Sequence, residues 1–305
     1  MAAPESRAGH QAGGTPRPPL SLRLGLGAAA VVVRSLGRER FRLSDVLANA
    51  AFAVSARRRR TTIANFRAAF PELSAPQARR LAQRSFLEYG RTCLDFLYVH
   101  GLSRGRVVAE VRGAGVEEHF DPLFNSGEPG ILVMIHQGSW DVASVLAGAR
   151  GVPLTVVMAD GSNPALADLV VWARARLGVR AVTASKSPRT VLQTLKAGGW
   201  LGLIIDIPGD TPSVEVTFLG QRTRFSSAAP ILAARTGAPL VPIVAVRGPG
   251  GTYLVEVHAP VRVGADAAPE DALQRLIPVF EMAVRRWPEQ WFPFADDRVL
   301  GDSPA

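Results

Sequence analysis

The segment HQGSWD (136–141) sets a histidine five residues ahead of a carboxylate, between the apolar run GILVMI (130–135) and the helix-patterned VASVLAGA. An imidazole with one nitrogen bonded to an acid keeps a fixed tautomer and leaves the other nitrogen free to take a proton. The spacing admits that role for His136, with Asp141 as the orienting acid. It equally admits a structural histidine and an acid that merely opens a helix. Ser139 and Trp140 lie inside the same turn and are candidate substrate contacts. A second polar cluster follows the apolar run GWLGLIID, in the stretch 206–225, which carries Asp206, Asp210, Glu215, Arg222 and Arg224. That stretch is too long for a plain connection and leaves the carboxyl end of a strand, the same edge as His136. Glu215 sits in VEVTFLG among apolar neighbours, and Arg222 and Arg224 are of the type that receives phosphate. Each of these residues, taken singly, is also an ordinary surface charge.

Two other motifs fail on context. GLSRG (101–105) has the letters of a nucleophile elbow, but a helical pattern precedes it and the strand-like VVAEV follows, the reverse of the required order. GLGAAA (25–30) lacks the buried strand and parallel unit of a dinucleotide site. The single cysteine, Cys93, excludes a disulfide framework and a cysteine-based metal site, and reads as a small buried residue of a helix. No metal-ligand cluster is seen, so neither a metal nor a resident cofactor is expected.

The elements that must position these residues fall into two parts. From about 130, apolar runs at 130–135, 152–159, 179–184, 200–206, 239–246 and 252–261 alternate, in their earlier part, with helical patterns at 141–149, 163–177, 188–198 and 226–236. That alternation predicts an α/β fold with a mainly parallel sheet covered by helices. GPGG (248–251) predicts a hairpin between the last two strands. Upstream the pattern is helical: 43–56 with Ser44 as a cap, then about 76–99 preceded by a Ser74 cap. The predicted organisation is a disordered leader (1–20), a basic helical membrane-associating region (21–100), an α/β domain (101–292) and a C-terminal tail (293–305).

Charge divides along the same line. The formal net charge is +9, and between Arg34 and Arg91 there are 13 arginines against Glu39, Asp45, Glu72 and Glu88, so the remainder is neutral. A basic helical portion on a neutral body predicts attraction to an anionic surface, lipid or nucleic acid. The apolar run LGLGAAAVVV (24–33) has ten residues where a bilayer needs about 20. It therefore predicts an interfacial segment rather than a spanning helix.

HQGSWD resembles the His-x4-acid signature of the lysophospholipid and glycolipid acyltransferase superfamily. VEVTFLGQRTRFSSAAPILAARTGAPLVPI is similar to the block that follows it in the lipid A and phosphatidylinositol mannoside acyltransferase branch. RRRRTTIANFRAAFPELS and WPEQWF resemble that branch too, and the four motifs fall in order over about 45–292. The resemblance implies transfer of a fatty acyl group from a thioester, acyl-CoA or acyl carrier protein, to a hydroxyl of a membrane glycolipid. It implies His136 as general base, Asp141 as its partner and Glu215 as a further active-site acid. Glu215 favours a phosphatidylinositol mannoside-like acceptor over a lipid A-like one. The expected location is the cytoplasmic face of the bacterial plasma membrane. The rivals are a non-catalytic lipid-binding relative of the same fold and a nucleic-acid-binding protein. The second has only the arginines in its favour and no recognition motif.

Overall fold

The structure is a computed structural model and describes residues 15–159, 163–184, 187–209 and 211–294. Most of the predicted leader and tail, and Asp210, lie outside the described residues. In chain order the elements are α1 (Leu20–Ser35), α2 (Arg40–Val54), α3 (Ala56–Ala69), α4 (Ala75–His100), α5 (Arg104–Glu110), β1 (Val111–Ala114), α6 (Asp121–Ser126), β2 (Gly130–Met134) and α7 (Trp140–Ala149). There follow β3 (Leu154–Met158), α8 (Pro164–Ala175), β4 (Arg180–Thr183), α9 (Ser187–Lys196), β5 (Trp200–Ile204), β6 (Ser213–Phe218), β7 (Gln221–Ser226), α10 (Ala228–Thr236), β8 (Leu240–Arg247), β9 (Tyr253–Val257) and α11 (Pro269–Arg286).

The main sheet has the order β1-β9-β8-β2-β5-β3-β4. Strands β8, β2, β5, β3 and β4 run parallel, as the buried apolar runs and their helical crossovers require. The Gly-rich link turns β9 back antiparallel on β8, and β1 joins β9 in parallel. Side chains alternate between two cores. Ile131, Val133 and Ile135 enter the core shared with α3, α4, α9, α10 and α11, whereas Leu132 and Met134 enter the one under α5, α6 and α7.

Four expectations are corrected. Ser44 lies buried inside α2, which already starts at Arg40, and so does not cap it. VVAEV is mostly the end of α5, with Ser103 as N-cap, and the strand begins only at Val111. The long stretch after β5 is no open loop: 213–226 is the β6–β7 hairpin. Cys93 is exposed rather than buried. Ser74 does open α4, its backbone N–H donating to Gln77 Oε1 at 2.8 Å.

The basic helical region presents apolar side chains to the outside. Leu20, Leu24, Val31 and Val32 of α1 and Leu43, Val46, Leu47 and Val54 of α2 are all exposed. Among the described residues no single helix is long and apolar enough to cross a membrane. The pair α1 and α2, bent by 112°, passes that test jointly by length and composition.

The turn after β2 holds the site in place. Gly138 has φ of +60° and lies against β8, where an added Cβ would stand 2.0 Å from the Ala245 carbonyl oxygen. Gly138→Ala therefore meets both a disfavoured backbone region and a backbone clash, and should cost roughly 2–4 kcal/mol of stability. Chemical denaturation checks this, and an unchanged midpoint would show that the turn relaxes freely.

Candidate active site

His136 and Asp206 meet because of strand register. In the β2–β5 pair, Met134 is opposite Ile204, so the residues two positions beyond each strand emerge side by side. His136 Nδ1 and Asp206 Oδ1 are 2.8 Å apart, and the His136 backbone N–H donates to Asp206 Oδ2 at 2.9 Å. Asp206 is 0% exposed, while the His136 side chain is 30% exposed. The carboxylate thus fixes the ring with Nδ1–H toward the protein interior, which leaves the lone pair on Nε2.

The expected partner of the ring, Asp141, is elsewhere engaged. Asp141 Oδ1 accepts two bonds from Arg174 of α8, from Nε at 2.9 Å and from a terminal nitrogen at 2.8 Å. The register of β2 on β5 assigns Nδ1 to Asp206. Asp141 sits in the first turn of α7, where an acid is favoured by the helix dipole, and draws in the guanidinium instead. The pair links α7 to α8 beside the site.

Ser139 is 1% exposed, and its hydroxyl donates to Asp95 of α4 rather than facing a substrate. Trp140 does adjoin His136: its ring stands edge to face with the imidazole, centroids 5.5 Å apart, and next to Phe292 at 6.0 Å. The β6–β7 hairpin is tied to the site at its foot, where Ser226 N–H donates to the Ile205 carbonyl at 2.8 Å, one residue before Asp206. Glu215 lies two residues up from the Ser213–Ser226 pair, opposite Arg224 and ion-paired with Arg222. Arg224 donates to Ser213 Oγ at 2.7 Å. The two arginines therefore serve the hairpin's outer face.

The backbone of the turn is also spoken for. Gln137 N–H donates to the Ile135 carbonyl, Gly138 N–H to Gln290 and Ser139 N–H to Ala245, at 2.7–2.8 Å. Those three amides therefore hold the turn in shape. Phe292 N–H donates to the His136 carbonyl at 3.0 Å, so the WPEQWF segment braces His136 directly. Among the described residues no group of three or more His, Cys, Asp or Glu is placed to hold a metal.

An acid that must accept bonds at both oxygens tolerates no amide, which offers one acceptor and one donor. Asp206→Asn should lower kcat about 10²-fold or more. Asp141→Asn, which leaves the ring's partner in place, should cost less. Steady-state rates with a soluble thioester donor check both, and wild-type kcat in Asp206→Asn would reduce Asp206 to a strut.

A family model for bacterial lipid A biosynthesis acyltransferases matches residues 22–296. No curated protein matches the chain. Among solved structures, the 1-acyl-sn-glycerophosphate (LPA) acyltransferase PlsC from Thermotoga maritima is similar at 17% identity and a TM-score of 0.41, over 82% of this chain and 99% of that one. The family match spans most of the chain, both cores and the whole His136 site. The protein belongs to the bacterial lipid A biosynthesis acyltransferase family and is an acyltransferase of lipid substrates.

Proposed function

We propose that the protein moves a fatty acyl group from a thioester donor, acyl-CoA or acyl carrier protein, to a hydroxyl of a membrane glycolipid. The observation that carries this reading is the buried Asp206 carboxylate on Nδ1 of a partly exposed His136 at the carboxyl end of the central sheet. Nε2 takes the acceptor hydroxyl proton as the oxygen attacks the thioester carbonyl. The tetrahedral intermediate collapses with loss of the thiolate, and the imidazolium returns the proton to the sulfur. A hydroxyl is a poor nucleophile at neutral pH, and a positioned base contributes about 10²–10⁴-fold. Glu215 supports a phosphatidylinositol mannoside-like acceptor ahead of a lipid A-like one.

The enzyme is proposed to work at the cytoplasmic face of the plasma membrane, where both thioester donors are found. Exposed apolar residues of α1 and α2 enter the interface, and α3 brings basic charge beside them. Arg57, Arg58 and Arg60 are exposed on α3, whereas Arg59 is turned inward to the last carbonyls of α2, with 2.6 Å to Phe52 O.

Purified protein incubated with acyl-CoA or acyl carrier protein donors and a panel of glycolipids, with mass-spectrometric product identification, tests the reaction. His136→Ala should stay folded and lose at least about 10² in turnover. Acyl transfer at wild-type rate by a folded His136→Ala protein would remove the assignment. Lipid binding without product from any acceptor would favour a non-catalytic carrier.

Each arginine near an anionic leaflet contributes on the order of 1 kcal/mol, screened as salt rises, while apolar insertion is far less salt-sensitive. Vesicle flotation should therefore require anionic lipid and weaken, without vanishing, at high salt. Replacing Arg57, Arg58 and Arg60 with Gln should weaken it further and spare hydrolysis of soluble donors. Equal binding to neutral and anionic vesicles would leave these arginines as a solvated face.

A further inference from the structure

Behind the His136 turn lies a buried charged cluster that plays no part in the chemistry above. Arg247, at the end of β8, is 8% exposed, and Asp95 of α4 is 1% exposed. Arg247 Nε donates to Asp95 Oδ2 at 3.1 Å, and its terminal nitrogens reach Asp95 and Glu88. The Tyr253 hydroxyl donates to Asp95 Oδ1 at 2.7 Å. Burial works against the Arg247 charge, but Asp95 and Glu88 outweigh it and hold the guanidinium above its usual range. Burial, with Asp95 beside it, pushes the Tyr253 hydroxyl well above its usual range, so it remains a donor.

Buried ion pairs are seldom kept for stability, since apolar replacements are often neutral or better. Here a geometric reason is visible, because the members of the cluster grip the turn from several sides. Asp95 takes the Ser139 hydroxyl. Thr92, three residues earlier on α4, donates to the Gly138 carbonyl at 3.1 Å. The Arg247 backbone clasps the Gln290 side chain by two bonds, at 2.9 and 2.8 Å, and the Gln290 carbonyl receives Gly138 N–H at 2.8 Å.

Ser139 is the telling member. It stands at the N-cap of α7, where a serine ordinarily folds its oxygen back onto the first helical amides, yet it makes no such bond. Its hydroxyl is committed to Asp95. The start of α7 is thereby aimed from the side, and Trp140, the next residue, is delivered edge to face against the His136 ring.

We propose that Asp95, held by Arg247, is a positioning residue for acyl transfer, acting through Ser139 on the turn that carries His136. This rests on the reading of His136 as the base.

Ser139→Ala removes the turn's end of the link and leaves Arg247 and Tyr253 bonded to Asp95. Val99→Ala, a cavity in the core one helical turn beyond Asp95, serves as a stability control. With purified full-length protein and acyl-CoA as donor, Ser139→Ala should lower kcat about 10-fold and leave KM within about 2-fold, since misplacing a base slows chemistry more than binding. Val99→Ala should lower the unfolding midpoint as much or more, with kcat within about 2-fold of wild type. Should Ser139→Ala keep wild-type kcat while His136→Ala is inactive, the positioning role is wrong and the base assignment stands. Wild-type kcat in His136→Ala overturns the base and the positioning role together.

Discussion

A carboxylate with no exposed surface, bonded at one oxygen to an imidazole and at the other to that residue's own amide, is the constraint around which the protein is built. Burying such a charge is costly unless its oxygens find partners. Asp206 finds one partner for each oxygen on the same residue, the ring and the backbone amide of His136. That demands parallel neighbours in one particular register, with Met134 opposite Ile204. A slip of one residue would also turn every β2 side chain into the wrong core. The apolar alternation of β2 and β5 and the polar pair at their ends therefore enforce the same alignment.

The position of the sheet, its mainly parallel sense and the last hairpin were legible because long apolar runs and a Gly-rich turn report directly on burial and chain reversal. His136 was legible for the same reason, as a polar residue closing such a run. Its true partner was not. Asp206 is 70 residues away, and only the strand order β8-β2-β5-β3 makes it a neighbour, whereas Asp141 is close in sequence and drew the role. The β6–β7 hairpin was hidden by its turn. Two residues with positive φ, Leu219 and Gly220, join its strands where Asn-Gly or Asp-Gly would have announced it. Leu219 tolerates that backbone because its side chain is 3% exposed in the core and its N–H donates to Glu281 at 2.6 Å.

Asp95, Arg247 and Gln290 were invisible for another reason. Each is an unremarkable polar residue in its own segment, and their meeting is decided by how α4, β8 and the chain after α11 stack on one turn. Tertiary context of that kind leaves no local pattern. The WPEQWF segment was recognised only as a resemblance. Its physical work is main-chain bonding, with Gln290 and Phe292 bracing Gly138 and His136.

α4 connects the two parts of the molecule. Its 26 residues make a rod of about 39 Å. On one side it carries α2: Arg91 grips Asp45 through two bonds at 2.9 and 2.7 Å, and Gln83 reaches Asn49 at 2.7 Å. Gly90 lets the helices close up, since a Cβ there would stand 2.7 Å from Ser44 Oγ. On the other side Ser85, Thr92 and Asp95 bond to Trp291, Gly138 and Ser139. The exposed apolar residues of α1 and α2 and the turn that carries His136 are thus fixed to one helix rather than to separate domains. An amphiphilic acceptor keeps its chains in the interface and presents its hydroxyl at a set height. Under the proposed reaction, a base mounted on the same rod as α1 and α2 meets that hydroxyl without a search, provided the rod's polar bonds to both sides stay closed.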